Sequence, residues 1–144
     1  MFYAYVLLLK YVLDTFLRLT IQGDLLEPYK LSREIPLKAD LYKKDEIYKT
    51  KYSIPVKPQK TNRWVYSIES NSAESLNCIL NKLYVDLSPY LDKLNSYSRK
   101  YNVLLDVTIY EDGNKSRFNA NLTKKSIDII DAINAKFSLT FVDF

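Results

Sequence analysis

Between Asn62 and Tyr110 the hydrophobic pattern changes period twice, from strand-like alternation to helical spacing and back. Arg63-Trp64-Val65-Tyr66-Ser67-Ile68-Glu69 alternates and places the one tryptophan in a strand. Asn71 and Glu74 then form a capping box, and Leu76, Ile79, Leu80, Leu83 and Leu87 recur at helical spacing. A helix cannot run smoothly through Pro89. Ser88-Pro89 therefore reads as a new start, serine capping and proline in the first helical position, with Leu91 and Leu94 on the apolar side. From Tyr101 the alternation returns. Val103, Leu105, Val107 and Ile109 point one way; Leu104, Asp106, Thr108 and Tyr110 point the other.

The flanks extend this plan. Phe16 to Ile21 alternates, which predicts a strand from about Thr15 to Gln22. The apolar run before it, Phe2 to Leu9, is shorter than the ~20 residues a spanning helix needs. It also lacks the basic start and small-residue cleavage site of a signal peptide. Gly23-Asp24 turns the chain, and Pro28 opens a short helix with Leu31 and Ile35 inward and Pro36 at its end. Downstream, Glu111-Asp112-Gly113-Asn114-Lys115 reads as a hairpin loop, with Phe118, Ala120 and Leu122 on the returning strand. Thr123 caps a last helix bearing Ile127, Ile130 and Ile133, and Phe137, Leu139 and Phe141 alternate in a closing strand. The expectation is one α+β domain over residues 1–144, an antiparallel-rich β-sheet with helices packed on one face.

Composition narrows the chemistry. The chain has no histidine, hence neither the commonest general acid–base group nor the commonest metal ligand. Cys78 stands alone, which excludes an internal disulfide and a cysteine-rich zinc site; between Leu76 and Ile79 it reads as a small buried residue. With 2 glycines, Gly23 and Gly113, there is no phosphate-cradling loop. Neither metal nor cofactor is expected, and no catalysis. The acidic pairs Glu111-Asp112 and Asp128 with Asp131 read as solvated loop and wet helix face. Asp106 shares the outward parity of Thr108 and Tyr110.

The remaining signal is charge and tyrosine. The formal charge is +4, and its excess lies in the first half. Between Lys38 and Arg63, lysines alternate with tyrosines, and Pro55 and Pro58 make the later part a loop or edge. The candidate contact surface is Tyr42, Lys43, Lys44, Tyr48, Lys49, Tyr52, Lys57, Lys60 and Arg63, joined by Arg117 near the hairpin tip. Tyrosine supplies rigid contact area with a polar tip, and 13 of them cannot all be core. That favours a protein partner with an acidic face. The alternative is a nucleic-acid-binding accessory protein that stacks bases on these rings. Against it, Arg33 and Arg63 are the only arginines between positions 24 and 98, so base-reading groups are scarce.

The order of elements, with Gly23-Asp24-Leu25-Leu26-Glu27-Pro28 after the first strand, resembles a bacterial family known as domain of unknown function 4279. Trp64 opening the next strand, the Leu80…Leu87-Ser88-Pro89…Leu91…Leu94 helix and Leu122-Thr123…Ile127…Ile130 carry the same resemblance. It spans roughly Asp14 to Phe144, so that residues 1–13 look like an N-terminal extension, and it implies a cytoplasmic protein. The chain departs from the pattern in lacking a glycine-containing segment before the tryptophan. Members look similar to immunity proteins of bacterial toxin systems. The resemblance therefore implies stoichiometric neutralisation of a partner toxin; a phage-encoded inhibitor of a host defence enzyme is the related alternative.

Overall fold

The computed structural model describes residues 15–47, 58–70, 76–111 and 122–143. The strands are β1 (Thr15–Gly23), β2 (Asp40–Tyr42), β3 (Asn62–Ser70), β4 (Asn102–Glu111) and β5 (Lys136–Asp143). The helices are α1 (Pro28–Glu34), α2 (Leu76–Leu87), α3 (Leu91–Lys100) and α4 (Lys124–Ile133), and a 3-10 turn (Ser88–Tyr90) joins α2 to α3.

The sheet runs β2-β3-β1-β4-β5, so the first strand lies at its centre. β1 pairs antiparallel with both β3 and β4, and β2 antiparallel with β3; β5 alone runs parallel, beside β4. The fold is α+β with a mostly antiparallel mixed sheet. Register carries one parity of side chains across it: Ile68, Leu17 and Val107 stand in one row, Tyr66, Leu19 and Leu105 in the next, Trp64, Ile21 and Val103 in a third. These residues join a single core cluster with Leu31 and Ile35, with Leu76, Ile79, Leu80, Leu83 and Leu87 of α2, and with Leu94, Ile129 and Ile133. Trp64 is fully buried, which makes it core.

α1 forms as its sequence dictates, with Pro28 at its start and Leu31 and Ile35 buried. Thr123 caps α4, its Oγ1 accepting from the Ser126 amide at 3.2 Å. Asn134 closes α4 in the left-handed conformation that suits asparagine.

Several local expectations need correction or fall outside the described residues. Ser88 does not cap a helix: its Oγ donates to the Val85 carbonyl at 3.1 Å, and the chain passes through the 3-10 turn before α3 begins at Leu91. The free carbonyls at the end of α2 compete for that hydroxyl. Cys78 is exposed, not buried. Buried positions on α2 are 76, 79, 80, 83 and 87, so Cys78 rotates onto the outward stripe with Lys82 and Val85 despite its apolar sequence neighbours. The hairpin tip, with Phe118 and Ala120, and the Asn71–Glu74 capping box lie outside the described residues. Leu122 precedes α4 and is not in a strand. β4 has β1 on one edge and β5 on the other, and the parallel β4–β5 pairing is reached through a crossover that includes α4.

Candidate functional site at one end of the sheet

The register brings the end of β1 beside the starts of β3 and β4: Gly23 pairs with Asn62, and Gln22 with both Arg63 and Asn102. Tyr42, the last residue of β2, pairs with Arg63. The turn leading from β1 into α1 therefore sits over this end of the sheet. It is a short turn in which the Leu26 amide donates to the Gly23 carbonyl at 3.2 Å.

Asn62 ties three segments together here. Its Nδ2 donates to the Asp24 carbonyl at 2.9 Å, and its Oδ1 accepts from the Lys44 amide at 2.7 Å. The Lys44 ammonium reaches the Asp24 carboxylate at 3.5 Å. The turn after β2 is closed from both sides: the Asp45 amide donates to the Gln59 carbonyl at 2.8 Å, and the Gln59 amide donates to the Glu46 carbonyl at 3.1 Å. Asp45 takes a positive φ of 66°, which its short side chain tolerates.

The cations are placed on rings. The Lys43 ammonium lies 4.8 Å from the centre of the Tyr29 ring, and the Arg63 guanidinium 4.7 Å from that of Tyr42. Arg63 also donates to Gln59 Oε1 at 2.6 Å. Of the sequence-predicted surface, then, Tyr42, Lys43, Lys44, Lys60 and Arg63 do converge on the β2–β3 end of the sheet. Tyr48, Lys49, Tyr52, Lys57 and Arg117 lie outside the described residues.

On the other side of the turn, α1 and α3 flank a cleft of about 300 Å³ lined by Leu25, Glu27, Lys30, Glu34, Ser96, Tyr97, Lys100 and Tyr101. The Tyr97 hydroxyl donates to the Glu34 carboxylate at 2.6 Å, and the Tyr101 hydroxyl donates to the Leu25 carbonyl at 3.3 Å. The two rings stack, 6.0 Å between centres and 26° apart in plane. Burial pushes the Tyr97 hydroxyl above its ordinary pKa, and the hydrogen bond to Glu34 and the negative charges of Glu34 and Glu27 push the same way. Leu25, Lys100 and Tyr101 also line a second, more open hollow with Asp24, Arg99 and Asn102.

The predicted surface, the basic segment with Arg117, leaves out Tyr29, Glu34, Tyr97 and Tyr101, which lie elsewhere in the chain, and Asn62, which lies within the segment but is neither basic nor aromatic. The i,i+4 spacing of Tyr97 and Tyr101 was a readable signal, since it puts both rings on one helix face. Among the described tyrosines none is fully buried, as the tyrosine count implied. Asp106 keeps its expected outward parity and accepts from the Ser138 hydroxyl of the parallel neighbour β5. No group of three or more potential metal ligands occurs among the described residues, and no described helix is long and apolar enough to cross a membrane.

Fold and site together define an α+β protein whose described residues form a five-stranded sheet with a polar, aromatic-lined surface at one end. The family described as "Domain of unknown function (DUF4279)" matches residues 14–143, and the chain belongs to it. No curated protein and no solved structure matches the chain.

Proposed function

We propose that the chain is a non-catalytic protein-binding domain that acts stoichiometrically through the end of the sheet around Leu25 and Tyr29. The observation that carries this reading is exposure of apolar and aromatic surface where the surrounding side chains are already fixed. Leu25, on the turn held by Asn62, Tyr101 and Lys44, is 84% exposed, and Tyr29, in the first turn of α1, 52%. A turn whose backbone is already held loses little entropy on binding, and exposed apolar and aromatic side chains on such a surface serve as interface anchors.

The cations here favour a protein over a nucleic acid. Lys44 is paired with Asp24, Lys43 and Arg63 lie on rings, and Asp45 and Glu46 stand in the same turn. A phosphate backbone would meet a mixed field instead of an unbroken positive one. The most concrete form of the proposal is an immunity-type protein that neutralises a toxin in the cytoplasm. A phage-encoded inhibitor of a defence enzyme is the same class with a different partner.

Affinity capture from a host lysate, with and without nuclease, tests the reading. The expected result is one protein at one-to-one stoichiometry that survives nuclease and is lost with Leu25→Glu. Because Leu25 is so exposed, that change should alter stability by less than about 0.5 kcal/mol. Captured nucleic acid that disappears with nuclease or salt would overturn the proposal, as would full capture by Leu25→Glu.

A further inference from the structure

We infer that the cleft between α1 and α3 is a receptor for one arginine side chain of the partner polypeptide, its guanidinium seated on Tyr97 and Tyr101 against Glu34. This rests on the protein-binding reading and names the partner chemistry that one part of the surface takes.

Size decides first. A cleft of about 300 Å³ lies at the lower limit of ligand pockets, ~300–1,000 Å³, and holds a single long side chain more comfortably than a nucleotide or a larger cofactor.

Charge and shape decide next. Glu27, Lys30 and Glu34 fall on one side of α1, and Tyr97, Lys100 and Tyr101 on the facing side of α3. Formal charge in the lining balances, but its placement does not. Glu34 is half-buried and anchored by the Tyr97 hydroxyl, which engages one of its oxygens and leaves the other open. Lys30 and Lys100 are exposed, and their long stems let the ammonium groups swing to water. Among the described residues neither lysine makes an ion pair with Glu27 or Glu34, although Lys30 lies within a helical turn of both. The fixed charge of the cleft is thus negative.

The two tyrosines supply what a guanidinium needs besides charge. Their rings stack on each other, and the outward face of that stack is a wall on which a guanidinium can lie while its fork reaches a carboxylate. An ammonium would use the charge but not the wall. Continuity points to a polypeptide as the source. Leu25 lines the cleft and is also the exposed centre of the proposed interface, so a chain docked on Leu25 can insert a side chain beside Tyr101.

The test titrates N-acetyl-arginine amide into the full-length chain and follows NMR shifts, with N-acetyl-glutamate amide and free arginine as comparisons. Saturable shifts confined to Glu34, Tyr97 and Tyr101 are expected with the blocked arginine and not with the glutamate probe. Glu34→Gln, which keeps an acceptor for Tyr97, should weaken binding about fivefold, equivalent to the ~1 kcal/mol of a partly exposed ion pair. Unaltered emission from buried Trp64 would show that the variant is folded. No shifts, equal shifts with the glutamate probe, or an undiminished response in Glu34→Gln would overturn the inference. Tighter binding of free arginine than of the blocked form would make the ligand a small molecule and overturn the assignment to a partner. Capture that fails with Leu25→Glu but persists in full with Glu34→Gln would sink the arginine pocket and leave the protein-binding reading standing.

Discussion

Gly23 lies against the edge of the Tyr101 ring: a Cβ added at Gly23 would come within 2.6 Å of Tyr101 Cδ1. The ring cannot retreat freely. It stacks on Tyr97, and its hydroxyl bonds to the Leu25 carbonyl. Gly23→Ala should therefore cost about 1–3 kcal/mol, the range for forcing an extra carbon into packed surroundings. Urea unfolding followed by Trp64 emission measures it. The companion change Tyr101→Ala removes the obstacle, so Gly23→Ala should cost little in that background; equal penalties in both backgrounds would refute the contact.

Trp64 is fully buried, yet its Nε1–H has no hydrogen-bond partner among the described residues. Truncation to alanine should cost ~3–5 kcal/mol as the core loses its largest side chain. Trp64→Phe keeps an aromatic body and removes the orphaned donor, whose burial costs ~1–3 kcal/mol. The phenylalanine variant is expected to be markedly more stable than the alanine variant, by chemical denaturation read with far-ultraviolet circular dichroism. Equal losses in the two would mean that the indole nitrogen matters and is bonded in solution.

The elements were legible where periodicity is local. Alternation located β1, β3 and β4 within a residue or so, and Pro28 and Thr123 marked helix starts. The readings of Cys78 and Ser88 failed for reasons beyond local pattern, and the partner of β5 lay beyond its reach. Cys78 was placed by its apolar neighbours although its helical angle turns it outward. Ser88 met carbonyls of the preceding helix that only the folded turn presents. A parallel β4–β5 pairing is a choice between strands distant in sequence, to which alternation is blind. The site shows the same division. Tyr42, Lys43, Lys44 and Arg63 are legible because they belong to one basic segment, whereas Tyr29, Glu34, Tyr97 and Tyr101 join it only through the register that sets Gly23 beside Asn62.

Asn77 links α2 to α4. Its Oδ1 accepts from the Thr123 amide at 3.0 Å and from the Ser126 hydroxyl at 2.6 Å, and Ser126 is almost wholly buried. Asn77→Ala leaves both donors short of their acceptor and is expected to destabilise by ~1–3 kcal/mol. Faster hydrogen exchange at the start of α4 should accompany the loss. Asn77→Asp retains an accepting oxygen in the first turn of α2, where the helix dipole favours a negative charge, and should recover most of it. Slow exchange in Asn77→Ala would show that α4 is held by its apolar face alone.

Alkaline stability tests the tyrosine–carboxylate pairs. The Tyr66 hydroxyl donates to Asp86 at 2.7 Å, and its pKa is pushed up to about 12, first by burial and then by that hydrogen bond and the Asp86 charge. An unfolded tyrosine titrates near ~10. Above that pH the unfolded chain loses its proton first and is favoured, so the stability linked to Tyr66 is complete below pH ~10 and is lost as pH rises through about 12. Tyr97, raised in the same direction, adds to the same alkaline loss. Tyr66→Phe should cost ~0.5–1.5 kcal/mol at neutral pH through the lost hydrogen bond. It should also flatten the fall in urea midpoint above pH ~10. Tyr66→Phe with Tyr97→Phe should flatten it further. If the alkaline fall is equally steep in wild type and both variants, neither hydroxyl is held protonated by its carboxylate.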